Sequence, residues 1–369
     1  MRAAVLERYG EELTVYDDVV CVDPGPGQVR VRVLSCGVCH SDLHMGGGFT
    51  PAPLVPGHEA AGEIDAIGEG VTGVVPGDRV IVAPMPACGR GRACLRGHPS
   101  LCDDARPWVS GLLADGRAPL SWRGQDVRRG NGVGAFAELA VVSANGVIKI
   151  PDDLPTRLAC LLSCAVQTGV GAVLNTARVE PGSSVLVMGL GGVGQSIVQG
   201  ARIAGATTII ASDPVEERRA KATTFGATDV VDPMADDVVA FARARCGGVD
   251  YAFDAAGSPA LAKTGFKATG LGGTVVLVGA PKADAMLEGI PHGLIVGQEK
   301  RFIGSMMGTG NPARDVPMLI GLWRTGALDL ANMVTADRPL TEIHDALSDL
   351  EAGIGLRTVI DLGSEEAAA

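Results

Sequence analysis

The segment covering residues 185–204 places the strongest constraint on how this chain folds. Residues 185–188 form a continuous apolar run of strand length, and residues 193–204 have the pattern of a helix. The residues between them fit the pattern G-x-G-x-x-G. In such a unit the first glycine permits a tight turn, the second admits a pyrophosphate, and the third lets helix pack on strand. The sequence therefore predicts a dinucleotide site with backbone N–H groups facing phosphate, formed by Gly189, Gly191, Gly192, Val193 and Gly194.

An acidic residue follows at the distance expected for a nucleotide ribose. Residues 208–211 have the pattern of the next strand, and Asp213 lies 19 residues after Gly194. A carboxylate there accepts hydrogen bonds from both ribose hydroxyls and repels a 2'-phosphate, so we expect NAD and not NADP. The alternatives are a strand–turn–helix without a ligand and, for Asp213, a helix cap.

Strands and helices alternate from about residue 155 to residue 308, which predicts a doubly wound parallel sheet. The further segments are a helix at 218–225 and strands at 249–254 and 274–278. After residue 308, helical patterns at 315–325 and 343–352 lead to a final strand at 357–362.

The first 150 residues have a different pattern, with short strands separated by Gly/Pro turns. Residues 29–34 alternate apolar and polar side chains, as a half-buried strand does, and residues 80–83 follow a Pro-Gly-Asp turn into a second strand. We expect a β-rich domain built around an antiparallel barrel. The fold class predicted for the whole chain is α/β.

Two short motifs in the β-rich part carry metal-ligand chemistry. Cys39 opens a Cys-His-Ser-Asp motif, and His58 lies 19 residues later in a Gly-His-Glu motif. A thiolate and an imidazole together suit zinc better than magnesium or calcium. A third ligand with an open fourth position would make a catalytic site, whereas four protein ligands would make a structural one. The alternative for a free cysteine is a small buried hydrophobic residue.

Charge and composition exclude several classes of function. The net charge of -11 argues against nucleic acid or an anionic membrane as the main partner. The first residues lack the apolar stretch of a signal peptide, and no apolar run suits a membrane span. Nine cysteines, an odd number, indicate metal binding or free thiols before disulfides. We therefore expect a cytoplasmic protein.

Taken together, these motifs resemble the zinc-dependent medium-chain alcohol dehydrogenases over essentially the full length of the chain. The motifs at Cys39, His58, Cys88 and Gly189 occur in that family's order and spacing. The resemblance implies a GroES-like catalytic domain over residues 1–165 and 308–369 and a Rossmann NAD-binding domain over residues 166–307. It also implies that alcohols and aldehydes or ketones are interconverted by hydride transfer from a zinc-bound alkoxide.

The resemblance assigns roles around the metal. It supplies Cys164 as the third ligand of a catalytic zinc, with Cys39 and His58. Asp42 resembles the carboxylate that orients the histidine ligand, and Glu59 resembles an acid that assists ligand exchange. The alternative for either acid is an internal salt bridge.

The resemblance also assigns residues to proton transfer and to cofactor binding. Ser41 is expected to accept the alcohol proton and His44 to pass it to solvent, although His44 is also compatible with a surface histidine. The further cofactor contacts that the resemblance implies are those of the pyrophosphate with His40 and Arg357, the nicotinamide with Thr168, and an additional contact at Arg218.

The chain departs from the family pattern where a second, structural zinc is expected. The family holds that zinc with four cysteines, and this chain has Cys88, Cys94 and Cys102, with Gly91 in place of the second cysteine. Three-ligand structural zinc is unusual. His98 lies in the same region, so both a retained zinc and an empty site stay open.

Two other functions and an assembly also follow from the resemblance. Arg106 falls where glutathione-dependent formaldehyde dehydrogenases have an arginine, so a thiol-adduct substrate of glutathione or mycothiol type is an alternative. The loop before Val55 lacks the acidic pair that would bind glutathione's amine. A non-catalytic dinucleotide-binding protein is a further alternative.

Residues 301–306 resemble the strand that joins two subunits, so we expect a homodimer acting on a small alcohol or aldehyde.

Overall fold

The chain folds into two units in a computed structural model that describes residues 1–43, 50–105, 107–282 and 284–363. Of the described residues, the first unit comprises Met1–Cys164, Asn311–Leu319 and those from Leu330 onward. The second unit comprises Ala165–Gly310 and Ile320–Asp329. The residues His44 and Arg106, which the sequence singled out, lie outside the described residues.

The first unit is organised around a sheet whose central strand is Gln28–Gly37. Val29, Val31 and Val33 are buried on one face of this strand while Arg32 points outward, as the alternating sequence predicts. The strand order is Val147–Lys149, Arg79–Val82, Glu59–Ile67, Gln28–Gly37, Arg357–Asp361 and Val334–Pro339, with Leu139–Ser143 also paired to the central strand.

Most of these strand pairs are antiparallel, as expected for the β-rich part. Two pairs differ, because Val334–Pro339 runs parallel to Arg357–Asp361 and Leu54–Val55 runs parallel to Gln125–Arg129. The other strands of the unit are Ala3–Val5, Thr14–Tyr16, Val20–Cys21 and Leu120–Trp122. Its helices are His40–Leu43, Arg92–Leu95, Pro107–Ser110, Thr156–Ala159 and Ile343–Glu351.

The second unit contains the predicted doubly wound parallel sheet. Its strands lie in the order Asp229–Val231, Thr208–Ser212, Ser184–Met188, Val249–Asp254, Thr269–Leu277 and Arg301–Gly304, all parallel. This is the strand order 3-2-1-4-5-6 typical of dinucleotide-binding sheets. Its helices are Ala165–Gly171, Gly192–Ile203, Glu216–Phe225, Val238–Cys246, Pro259–Ala268 and His292–Gly297.

The helix Pro312–Arg324 contributes to both units. Residues 320–329 were predicted to belong to the first domain, yet they group with the second unit. Their hydrogen bonds explain this, because Arg202 Nη2 donates to the Ala327 carbonyl at 2.6 Å and the Asp329 N–H donates to Gln199 Oε1 at 2.7 Å.

Within the described residues, no single helix is both long and apolar enough to cross a membrane. The segments Thr156–Ser163 and Ala165–Ala177 meet the length and composition test only when they are counted as a bent pair.

Glycines set the close approach of two helices in the second unit. A Cβ on Gly169, in helix Ala165–Gly171, would lie 2.4 Å from Ser196 Cβ and 2.5 Å from the Val193 carbonyl oxygen of helix Gly192–Ile203. Neither neighbour can yield easily, because one is backbone and the other is a Cβ. This contact therefore fixes the first turn of the helix that follows the glycine motif.

We predict opposite effects for alanine at two helical glycines of this unit. Gly169→Ala should lower the free energy of unfolding by roughly 1–3 kcal/mol, because it overpacks the helix contact. Gly321→Ala, in Pro312–Arg324, meets no atom within 4 Å and should raise it by up to about 1 kcal/mol through helix propensity. Denaturant unfolding followed by circular dichroism checks both, and equal effects would contradict the packing argument.

Candidate active site

Neighbouring strands of the first unit bring the predicted metal ligands together. Cys39 follows the central strand Gln28–Gly37, and His58 immediately precedes strand Glu59–Ile67. These strands are paired with Gly37 opposite Glu59. Gly57 has a φ of +89°, and a Cβ there would lie 2.6 Å from the Phe136 backbone nitrogen. Glycine is therefore required beside the histidine.

Four potential ligands form one buried cluster. The ligand atoms of Cys39, His58, Glu59 and Cys164 all lie within 4.8 Å of one another. All four side chains are buried, and both cysteines are free thiols. The sequence motif at Cys39 and His58 and the cysteine supplied by resemblance are thus brought to one place.

The Asp42 carboxylate organises this cluster. Its Oδ2 accepts a hydrogen bond from the Cys39 N–H at 3.0 Å, and its Oδ1 lies 3.0 Å from His58 Nδ1. Oδ1 also accepts from the Gly57 N–H at 3.2 Å. With His58 Nδ1 engaged by Asp42, Nε2 is the ring nitrogen left for a metal. The geometry matches the orienting role predicted for Asp42.

Asn131 is a participant that the sequence reasoning missed. Its Nδ2 lies 3.3 Å from Asp42 Oδ1 and 3.2 Å from His58 Nδ1. Its backbone is left-handed, with a φ of 48° and a ψ of 31°, a conformation in which asparagine is enriched among non-glycine residues. The Asn-Gly pair at this turn is the one sequence signal that could have indicated it.

Glu59 and Arg357 form a buried ion pair at the edge of the cluster. Arg357 Nη2 lies 3.1 Å from Glu59 Oε1, and Arg357 Nη1 donates to the Val38 carbonyl at 2.9 Å. Neither carboxyl oxygen of Glu59 has a hydrogen-bond partner among the described residues. Both Nη atoms therefore have partners within the first unit. The predicted contact of Arg357 with the cofactor pyrophosphate stays a prediction.

The ionisation of the cluster depends on its internal contacts. A hydrogen bond with Cys164 lowers the pKa of Cys39 well below its ordinary value, and Arg357 and His58 reinforce this against burial. The same hydrogen bond, together with burial, raises the pKa of Cys164. Burial raises the pKa of Glu59 to about 7. Burial alone would lower the pKa of His58, but the Asp42 charge and hydrogen bond raise it well above its usual range.

These residues fit a zinc ion. Two cysteine sulfurs and one imidazole nitrogen are a ligand set that zinc takes in catalytic sites. The donor atoms of these buried side chains lie within 4.8 Å of one another, and the buried carboxyl of Glu59 lacks a hydrogen-bond partner among the described residues. A bound cation would keep both thiols deprotonated and the imidazole neutral.

The residues predicted to move the proton are placed only in part. Ser41 Oγ lies 3.5 Å from Cys39 Sγ, so a hydroxyl stands beside the cluster. His40, which was predicted to contact the pyrophosphate, begins the short helix His40–Leu43 and is exposed, and that contact stays a prediction. The relay role of His44 stays a prediction because that residue lies outside the described part of the chain.

The glycine motif has the geometry that its sequence predicted. Gly189 has a φ of +86°, which forms the tight turn after strand Ser184–Met188. A Cβ on Gly194 would lie 1.8 Å from the Gly189 carbonyl oxygen, so helix and strand ends pack closely only with glycine. A Cβ on Gly191 would meet nothing within 4 Å, which leaves its backbone open to a ligand. Gly192 and Val193 start the following helix.

Asp213 is held in place beside this motif. Its Oδ2 accepts from the Leu190 N–H at 2.7 Å and its Oδ1 accepts from the Val215 N–H at 2.8 Å. Arg218 lies half-buried in the first turns of helix Glu216–Phe225, and Thr168 is buried in helix Ala165–Gly171 with its hydroxyl 3.6 Å from Met307 Sδ. Their predicted cofactor contacts stay predictions.

The three remaining predicted metal ligands form a second cluster in the first unit. The Sγ atoms of Cys88, Cys94 and Cys102 lie within 4.8 Å of one another. His98 is exposed and does not join them at that distance.

We predict that the orienting carboxylate controls metal retention. Asp42→Asn should weaken zinc binding at the cluster by about 10- to 100-fold, because a neutral amide holds His58 less firmly. Asn131→Ala should weaken it less, since Asp42 keeps its other donors. Competition with a chromogenic chelator measures both, with the exposed Asp17→Asn as a charge control. Unchanged zinc affinity in Asp42→Asn would contradict this account.

Comparison with known proteins agrees with this geometry. Residues 25–152 match the alcohol dehydrogenase GroES-like domain and residues 192–323 match the zinc-binding dehydrogenase domain. The chain is 34% identical over 354 residues to an alcohol dehydrogenase class-3 of Myxine glutinosa, covering 94% of each chain.

Solved structures agree over nearly the whole chain. An alcohol dehydrogenase zinc-binding domain protein from Burkholderia ambifaria superposes with a TM-score of 0.92 at 35% identity, covering 98% of each chain. A benzyl alcohol dehydrogenase from Acinetobacter calcoaceticus superposes with a TM-score of 0.91 at 32% identity, again covering 98% of each chain. The chain therefore belongs to the zinc-dependent medium-chain alcohol dehydrogenase family.

Proposed function

We propose that this protein is an NAD-dependent alcohol dehydrogenase that also reduces aldehydes or ketones in the reverse direction. The observation that carries the proposal is the buried cluster of Cys39, His58 and Cys164, oriented through Asp42. Three protein ligands leave one position for a substrate oxygen, which is the arrangement of a catalytic zinc site. Family membership and the dinucleotide motif support the same assignment.

The residues divide the work of the reaction between them. A bound zinc acts as a Lewis acid that lowers the pKa of an alcohol and polarises a carbonyl. Cys39, His58 and Cys164 would hold it, while Asp42 fixes the imidazole ring. Glu59 lies within 4.8 Å of these ligand atoms and would be within reach of the ion.

Ser41 is the group best placed to receive the substrate proton. Its hydroxyl stands beside Cys39 Sγ and can accept a proton from an alcohol held at the cluster while donating its own onward. Because the four cluster side chains are buried, the proton needs such a carrier to leave the site. We retain His44 as the next carrier on the basis of the family resemblance.

We infer NAD as the cofactor from Asp213. Asp213 directly follows strand Thr208–Ser212, and two backbone N–H groups next to the glycine motif fix its carboxylate. A fixed carboxylate favours two ribose hydroxyls over a 2'-phosphate. Nearby Arg219 is committed elsewhere, since its Nη2 pairs with Asp232 at 3.0 Å and its Nη1 donates to the Asp213 carbonyl at 2.6 Å.

The primary test is alcohol oxidation by a metal-ligand variant. Cys39→Ala should lower the rate of NADH formation from a panel of primary alcohols by roughly a thousandfold or more, since Lewis-acid stabilisation supplies several kcal/mol. Its zinc content should fall by one ion per chain. Cys21→Ala, which removes another half-buried thiol of the same unit, is the matched control.

Full activity in Cys39→Ala would contradict the assignment. The same assay with formaldehyde, with and without glutathione or mycothiol, separates the thiol-adduct alternative. Strict dependence on the added thiol would favour that alternative, and turnover of simple alcohols without thiol would exclude it.

The cofactor preference has its own test. Asp213→Ser should shift the ratio of kcat/KM for NAD to that for NADP toward NADP by about 10- to 100-fold, since hydrogen bonds to a charged group contribute about 1.5–3 kcal/mol. The exposed Asp236→Asn removes a carboxylate from the same unit and should leave the ratio unchanged. A wild-type enzyme that prefers NADP would show that Asp213 does not set the preference.

We also propose that the enzyme is a homodimer. Arg301–Gly304 is the end strand of the parallel sheet, and no described strand of the chain pairs with its outer edge. The same strand of a second copy can pair there. Leu271, in the strand beside it, is 82% exposed in the single chain. Light scattering should give the mass of two chains, and the mass of one chain would contradict this proposal.

A further inference from the structure

The cysteine lobe, which we define as Cys88–Cys102, is built like a metal site with one ligand missing. Its three sulfur atoms, from Cys88, Cys94 and Cys102, lie within 4.8 Å of one another. Cys102 is buried, and Cys88 and Cys94 are half-buried. All three are free thiols. Two of these sulfurs could form a disulfide, but the third, which lies within the same 4.8 Å, would be left over.

Backbone N–H groups already point at these sulfurs. The Cys88 N–H donates to Cys102 Sγ at 3.3 Å, and the Gly91 N–H donates to Cys88 Sγ at 3.2 Å. Such hydrogen bonds stabilise charge on sulfur, as a thiolate ligand requires. The chain reaches this arrangement through a short helix, Arg92–Leu95, followed by tight turns.

Gly91 is not required by the backbone or by the space around it. Its φ of -72° and ψ of 164° are open to any residue. A Cβ there would lie 3.3 Å from Cys88 Sγ and would meet no other atom within 4 Å. The position therefore borders the sulfur cluster and leaves room next to it.

No other side chain completes the set in the part of the chain that the structure describes. No histidine or carboxylate joins the three sulfurs within 4.8 Å. Asp104 instead lies 4.0 Å from Arg90 in an exposed ion pair. The closed four-thiolate zinc that the family resemblance implies therefore does not fit this lobe.

We propose that the lobe binds one soft divalent cation, zinc, through three thiolates, with a fourth coordination position open beside Gly91. Sulfur ligands select such ions over magnesium or calcium. Binding releases the thiol protons to solvent. The open position is filled by water or by an added small thiol or imidazole, so the ion exchanges readily, unlike an ion in a closed structural site. This proposal is independent of the catalytic activity.

The test compares wild type with Cys94→Ser and Gly91→Cys. Zinc per chain, measured by mass spectrometry after reconstitution, should fall by one ion in Cys94→Ser. A chromogenic chelator should remove this ion from Gly91→Cys more slowly than from wild type, by roughly tenfold or more, because a fourth thiolate closes the site. Circular dichroism establishes that each variant is folded, and Cys102→Ser replaces Cys94→Ser if the latter does not fold.

Cobalt substitution tests the open position directly. With both chains carrying Cys39→Ala, which removes the open catalytic position, addition of 2-mercaptoethanol should strengthen the sulfur-to-cobalt absorption of the chain with Gly91 and leave that of the chain with Gly91→Cys unchanged. Equal zinc content in wild type and Cys94→Ser would overturn the proposal, as would titration of the lobe thiols as a disulfide in the reconstituted protein. Equally slow release from wild type and Gly91→Cys would overturn the open position.

Discussion

The buried carboxylate of Asp42 is the interaction on which the first unit's site depends. A buried carboxylate is stable only when donors surround it, and here they come from three stretches of chain, at Cys39, at Gly57 and His58, and at Asn131. Satisfying the carboxylate therefore fixes the segments that present a thiol and an imidazole to the same point. The hydrogen bonds that offset the desolvation of Asp42 therefore also position the metal ligands.

Strand pairing positions the other buried charged groups of the site. Pairing of Gln28–Gly37 with Glu59–Ile67 and Arg357–Asp361 places Glu59 and Arg357 side by side beneath the cluster. Gly37 makes room for this, since a Cβ there would overlap the Glu59 carboxyl. A cation at the sulfurs would keep the thiols deprotonated next to this ion pair.

The sequence predicted the elements whose patterns are local. The apolar run before the glycine motif, the three glycines and Asp213 lie within 29 residues, and their roles in turn and packing follow from chemistry at that range. The ligand pair Cys39 and His58 was recognisable because a thiolate and an imidazole 19 residues apart suit zinc. Cys164 came from resemblance alone, since nothing near it in sequence distinguishes it from a buried cysteine.

Contacts between distant segments were beyond that reasoning. Asn131 reaches the Asp42 carboxylate across 89 residues and depends on a left-handed turn whose position only the folded chain defines. The ion pair of Arg357 with Glu59 depends on strand pairing and was not predicted, whereas the contact of Arg357 with the pyrophosphate stays a prediction. The grouping of residues 320–329 with the second unit likewise depends on hydrogen bonds to a helix more than 100 residues earlier.

Diffraction at the zinc absorption edge from crystals of the zinc-reconstituted protein tests the central claim most directly. The account predicts an anomalous peak about 2.3 Å from the sulfurs of Cys39 and Cys164 and about 2.0–2.1 Å from His58 Nε2, with the Asp42 hydrogen bond to Nδ1 retained. No zinc among these three residues, or a zinc held there while His58 has turned away from Asp42, would contradict it.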